Sequence, residues 1–217
     1  MARMILAGGG DASDSKPLDD LFVSLLQPKK ILYIPLAWKT GDFNCCKEWF
    51  SSIFDDFEMW IDLHNKTAED VERFGGIYIG GGNTFSLLHD LRTTGFDKLL
   101  LLFLDSGKPI YGGSAGAIIF GSSIKTASLG KDSDSNDVGL KDLSGFNIVQ
   151  GYSIQCHYEE GQDDELKELS RHQKIIALSE RSGIIVDDIE IKVIGFDAAY
   201  VFRHGEKIEY NVGSIVH

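Results

Sequence analysis

The chain has 217 residues, 43% hydrophobic and 25% charged, with 24 glycines and only 4 prolines. This length and composition fit a single globular domain spanning 1–217 and exclude collagen-like, disordered and mucin-like classes. Twenty-one basic against 33 acidic residues give a formal charge of −12, which repels nucleic-acid phosphates and anionic membranes alike.

The first ten residues, Met1 to Gly10, hold one basic residue and no apolar stretch of signal-peptide length, so a cytoplasmic protein is expected. A first strand is predicted at Met4–Ala7, ending in Gly8-Gly9-Gly10, which reads as a strand-to-loop turn. Leu18, Leu21, Phe22, Leu25 and Leu26 share one helical face. Further strands are predicted at Ile31–Ile34, Phe57–Ile61, Gly76–Ile79, Pro109–Tyr111 and Ser153–Gln155. Helices fall between them at Asp42–Phe54, Thr67–Phe74, from Phe85 behind an Asn83-Thr84 cap, and at Phe96–Asp105. The longest apolar run, Leu99 to Leu104, is far short of the roughly 20 residues a membrane span needs.

From Ser128 to Leu143 the chain is polar and turn-rich, a loop long enough to carry function. The last third holds short strands around Gly183–Val186, Lys192–Gly195, Ala199–Arg203 and Lys207–Tyr210, the final two forming a hairpin. Alternating strands and helices predict an α/β fold with a mostly parallel sheet and a C-terminal antiparallel strand group. Cys45, Cys46 and Cys156 offer neither a disulfide framework nor zinc-type spacing. No metal or other cofactor is expected.

The sharpest motif is Gly112-Gly113-Ser114-Ala115-Gly116, which fits G-x-S-x-G between a predicted strand and a helical run. Small neighbours let the chain bend sharply there and expose a serine hydroxyl, while the helix start presents amides to developing negative charge. A second run, Gly80-Gly81-Gly82-Asn83, ends the strand at Ile79. Strand carboxyl ends share one sheet edge, so this loop can approach Ser114 and add an oxyanion donor to the Ala115 amide. No P-loop lysine follows it, which argues against a phosphate cradle.

A nucleophilic serine needs a base. Of six histidines, His89 lies in a helix, and His64, His172, His204 and His217 stand in polar or terminal segments. His157 follows Ile154-Gln155-Cys156 at a strand end, where such a site is built. Asp137 in the polar loop and Glu180 after Ile175–Leu178 are both candidates for the carboxylate that orients the imidazole. A nucleophilic Cys156 is disfavoured, because adjacent strand residues point to opposite faces and Cys156 cannot easily share a proton with His157.

Ile79-Gly80-Gly81-Gly82-Asn83-Thr84-Phe85, Gly113-Ser114-Ala115-Gly116-Ala117 and a histidine after a strand resemble peptidase E, the aspartyl dipeptidase family that includes the cyanophycinases. The likeness runs from Met4 to about Gly195. It implies a three-layer fold like class I glutamine amidotransferases, with Ser114 as nucleophile, His157 as base, and Gly82 and Ala115 amides as oxyanion donors. Members differ in the acidic partner, which falls on Glu180 or Asp137, and Glu180 is favoured. The implied activity is serine-peptidase hydrolysis of a small peptide through an acyl-enzyme, with preference for an N-terminal acidic residue. Gly113 departs from the dipeptidase's tryptophan, and the loop before Asp137 is longer. Both changes lie near the expected substrate site and imply a larger or reshaped pocket. Asn83, Gly113 and Lys125 are the candidate substrate-binding residues, and a monomer or homodimer is expected. The alternative is a silent member that binds a peptide or acidic metabolite.

Overall fold

The computed structural model describes residues 3–39, 42–131 and 133–217; Met1, Ala2, Thr40, Gly41 and, in the polar loop, Asp132 lie outside it. One sheet has seven strands, in the spatial order Phe57–Met59 (β3), Ile31–Ile34 (β2), Gly76–Ile79 (β4), Ile110–Gly113 (β5), Arg3–Ala7 (β1), Ser182–Asp187 (β8) and Glu190–Gly195 (β9). The first five are parallel, and β8 and β9 continue the sheet antiparallel. A second sheet orders Glu206–Tyr210 (β11), Ala199–Arg203 (β10), Lys174–Leu178 (β7) and Tyr152–Gln155 (β6).

The central strands are buried on both faces, as continuous aliphatic runs require when helices cover each side. Ile5, Ala7, Ile31 and Tyr33 point to one face, packed by Leu18 and Phe22 of α1 (Lys16–Leu25) and by Cys46 and Phe50 of α2 (Phe43–Ser51). Met4, Leu6, Leu32 and Ile34 point to the other. There they meet Val71 of α3 (Ala68–Glu72), Phe85 and Leu88 of α4 (Thr84–Thr94) and Phe96 and Leu100 of α5 (Phe96–Asp105). This is the three-layer α/β arrangement with a mostly parallel central sheet. A short helix, α6 (Ala115–Ile118), follows β5 directly, and α7 (Asp163–Leu169) sets Leu166 against Ile175 and Phe202 of the second sheet.

Two departures from the sequence pattern matter for the site. Ile175–Leu178 is an internal strand, β7, pairing with β6 on one side and β10 on the other, which explains why four consecutive apolar residues are buried. The strand that carries His157 to its position, β6, therefore belongs to the second sheet, parallel to β7. Strand β5 also begins at Ile110 and runs through Gly113, so both glycines before Ser114 lie within the sheet.

Asp19 of α1 is buried, with Oδ2 accepting from Ser15 Oγ at 2.8 Å and Oδ1 lacking a partner among the described residues. Burial pushes its pKa from 3.8 up to about 6. A raised carboxyl pKa gives stability that is complete below the unfolded value and is lost as pH rises through the folded one. Asp19→Asn is expected to raise the melting temperature at pH 8, by the equivalent of about 1–3 kcal/mol, with no gain below about pH 4. Thermal denaturation of both chains at the two pH values checks it.

Candidate active site

The carboxyl end of β1 organises the site through its backbone. Ala7 C=O accepts the Ser114 N–H at 3.1 Å, and Gly8 C=O accepts the His157 N–H at 2.9 Å. The Gly8 N–H donates to Ser182 C=O at 3.0 Å, at the start of β8. Three chain segments distant in sequence are thus tied to two consecutive residues.

Ser114 sits on the sharp turn between β5 and α6 with φ 51° and ψ −115°, and His157 also has a positive φ, of 50°. Such conformations cost non-glycine residues on the order of 1–3 kcal/mol each and persist only where the surroundings enforce them. The glycines around the turn make it sterically allowed. A Cβ on Gly116 would lie 2.3 Å from Ile79 C=O, and one on Gly112 would lie 2.3 Å from Gly116 C=O. Helix α6 therefore packs directly onto the backbone of β4 and β5.

Ser114 Oγ lies 2.9 Å from His157 Nε2, and His157 Nδ1 lies 3.0 Å from Glu180 Oε1. An ionised carboxylate only accepts hydrogen bonds, so Nδ1 carries the proton and Nε2 is left to accept from the serine hydroxyl. Glu180 occupies the turn between β7 and β8, and its side chain is 58% exposed. At that exposure the pair adds little stability.

The other predicted residues divide. Gly82, at φ 131°, lies between the Gly80 and Asn83 amides, which are anchored to Ile34 and Ala37 carbonyls. Its neighbour Gly81 is close enough that a Cβ there would sit 3.1 Å from Ser114 Cβ. Ala115 opens α6, where an amide has no intrahelical acceptor. Asp137 is not brought to the histidine: it is exposed and accepts the Ser135 hydroxyl at 2.7 Å. The Asn83 side chain caps α4 through Ser86 N–H and donates to Ser135 C=O, and it lines neither cavity beside Ser114. Lys125 is exposed and lines neither. Cys156 Sγ faces the Ser114 carbonyl at 3.5 Å, and burial pushes its thiol pKa far up, so it stays protonated.

Two cavities meet at Ser114 and His157. One, of about 480 Å³, is lined by tyrosine and tryptophan rings together with Gly113. The other, of about 670 Å³, carries, among the described residues, the carboxylates of Asp134, Glu159, Glu165 and Glu180 and one lysine, Lys131, which is paired with Glu159 at 3.0 Å. Asp134 also accepts the Thr84 N–H at the start of α4, which pins the polar loop beside the site.

Two contributors escape the sequence pattern. Gly9, at φ 107°, leaves room for the Ser114–His157 contact: a Cβ there would lie 2.5 Å from His157 Cε1 and 2.9 Å from Ser114 Cβ. The glycine run signals a special backbone, but not what it packs against. The tyrosines of the first cavity recur at one position of three strands, a pattern visible in Tyr33, Tyr78 and Tyr111 once the strands are aligned.

Residues 4–194 match the model of peptidase family S51. The chain is 28% identical over 201 residues to Peptidase E of Nostoc sp., covering 84% of this chain and 79% of that one. It is 30% identical over 170 residues to an uncharacterized peptidase of Listeria monocytogenes, covering 75% and 80%. A crystal structure of a provisionally assigned peptidase E protein from Listeria monocytogenes EGD-e superposes with a TM-score of 0.71 at 26% identity, over 91% of this chain and all of that one. A peptidase from an acI-B1 Actinobacterium shares the fold at a TM-score of 0.75 and 17% identity, over 100% and 96%.

Gly9→Ala is expected to push the His157 ring off the serine and lower peptide hydrolysis by about 100-fold or more, the scale of a misplacement near 1 Å. Circular dichroism should show the fold retained. Activity within about threefold of the parent would show that the ring is not held by this contact.

Proposed function

The chain belongs to peptidase family S51 and is a serine-type peptidase, and we propose that it hydrolyses short peptides through an acyl-enzyme on Ser114. The observation that carries this reading is the continuous set of contacts from Ser114 Oγ through the His157 ring to Glu180, at 2.9 and 3.0 Å. Relatives named Peptidase E support a dipeptidase scale of substrate.

In this reading Ser114 Oγ attacks the scissile carbonyl carbon while its proton passes to His157 Nε2. The carbonyl oxygen becomes an oxyanion and accepts hydrogen bonds from the Gly82 and Ala115 amides, each worth on the order of 10²–10³ in rate. The imidazolium, held by Glu180, gives its proton to the leaving amine as the C–N bond breaks. Water then loses a proton to the same nitrogen and attacks the ester, and that proton passes to Ser114 Oγ as the ester C–O bond breaks. Side chains and backbone amides carry every step.

A preference for an acidic N-terminal residue has little support in the lining of the site. Besides His157, Lys131 is the one basic side chain in either cavity among the described residues, and it already faces Glu159. Three free cysteines suit action in the cytoplasm, where thiols stay reduced.

Ser114→Ala is expected to leave no measurable hydrolysis of a dipeptide panel. Glu180→Gln should lower kcat by about 10²–10⁴, the range for an orienting carboxylate, while Asp137→Asn stays within about threefold. Steady-state kinetics on the three variants decides the assignment: a larger loss from Asp137→Asn than from Glu180→Gln would reverse it. A parent chain that binds dipeptides but cleaves none would make this a silent member of the family.

A further inference from the structure

Three tyrosines stand at equivalent positions on neighbouring strands. Tyr33 of β2 pairs with Tyr78 of β4, which pairs with Tyr111 of β5. Their rings share the face covered by α1 and α2, with Tyr33 edge-on to Tyr78 at 5.8 Å and Tyr78 stacked on Tyr111 at 4.3 Å. Side chains return to the same face of a strand every second residue. Two positions beyond Tyr78 and Tyr111, toward the nucleophile, stand Gly80 and Gly113, and two beyond Ile5 of β1 stands Ala7. Glycine and alanine thus stand between the aromatic floor and Ser114 on these strands, with the Tyr33 ring 3.3 Å from where a Gly80 Cβ would lie.

The result is the cavity of about 480 Å³ that opens onto Ser114, within the range of small-molecule sites. The tyrosine rings form one wall. Trp49 of α2 lies across from them, 6.2 Å from Tyr78 and 6.5 Å from Tyr33. Trp38 also lines it and is 39% exposed, a large apolar surface left uncovered at the site. A Cβ on Gly113 would lie 3.6 Å from Tyr78 Oη and 3.8 Å from Tyr111, so a methyl group fits there in ordinary van der Waals contact and a larger side chain would intrude on the cavity.

The chemistry of the walls selects among occupants. No lysine or arginine lines the cavity among the described residues. The Ser15 hydroxyl that does line it is bound to the buried Asp19 carboxyl at 2.8 Å. A substrate carboxylate entering here would lose its water, meet no counter-charge and approach another carboxyl group. An uncharged ring would instead meet the indole surfaces of Trp38 and Trp49 beside the tyrosine floor.

We propose that this cavity binds the neutral, aromatic side chain of a residue flanking the scissile bond, so that the enzyme selects ring-bearing short peptides over acidic ones. The proposal rests on Ser114 being the nucleophile, and a test by binding separates the two. In a Ser114→Ala background, isothermal titration calorimetry would be run with Phe-Ala, Ala-Phe, Asp-Ala and Ala-Ala. One of the phenylalanyl peptides should bind at least about tenfold tighter than Asp-Ala and Ala-Ala, as a filled apolar pocket discriminates. Gly113→Leu, which fills the cavity, and Trp49→Ala, which removes a wall, should each reduce that ratio to within about threefold of unity. Equal affinities, tighter Asp-Ala, no binding by any peptide, or a phenylalanyl advantage that survives both variants would overturn the proposal. In the parent chain the same ranking should appear in kcat/KM. Absence of all hydrolysis there would count against the catalytic reading while the calorimetry still decides the pocket.

Discussion

The site depends on two backbone carbonyls at the end of β1. Ala7 and Gly8 hold the amides of Ser114 and His157, which are 43 residues apart and arrive from different sheets. Both residues have positive φ, a conformation neither would keep unaided. Because β1 is a central strand, paired with β5 on one side and β8 on the other, those carbonyls are among the least movable acceptors in the molecule. Strain at Ser114 and His157 is thus carried by a sheet that buries both its faces.

The absence of side chains on Gly8, Gly9 and Gly10 completes this arrangement. A Cβ on Gly8 would lie 1.9 Å from Ser179 C=O, and one on Gly10 would lie 2.5 Å from Glu180 C=O. The turn bearing Glu180 can therefore close against β1 only over glycines. From the sequence alone this run reads as a simple turn, because nothing local reveals that residues 157, 179 and 180 pack on it. The serine elbow, in contrast, is legible: its strand, its small residues and its helix are contiguous. His157 is legible for a related reason, standing two residues past a short buried strand, Tyr152–Gln155. The choice between Asp137 and Glu180 is not, since it depends on where two turns lie in space. The same limit hid β7, whose apolar run gives no sign of pairing with both β6 and β10.

Charge reads differently at the two scales. The net −12 describes the surface, and the polar cavity beside Ser114 repeats its sign with four carboxylates and one paired lysine. The adjoining cavity is lined by no lysine, arginine or carboxylate side chain among the described residues, and tyrosines form its floor. The proposed discrimination at this site rests on shape and desolvation rather than on attraction between opposite charges.

The central claim is that Ser114 is activated by His157 within this frame. Intact-mass analysis with peptide mapping after treatment with a fluorophosphonate tests it most directly. A single adduct on Ser114, lost in His157→Ala, is the predicted result. An adduct elsewhere, none at all, or labelling of Ser114 at an undiminished rate without His157 would contradict it.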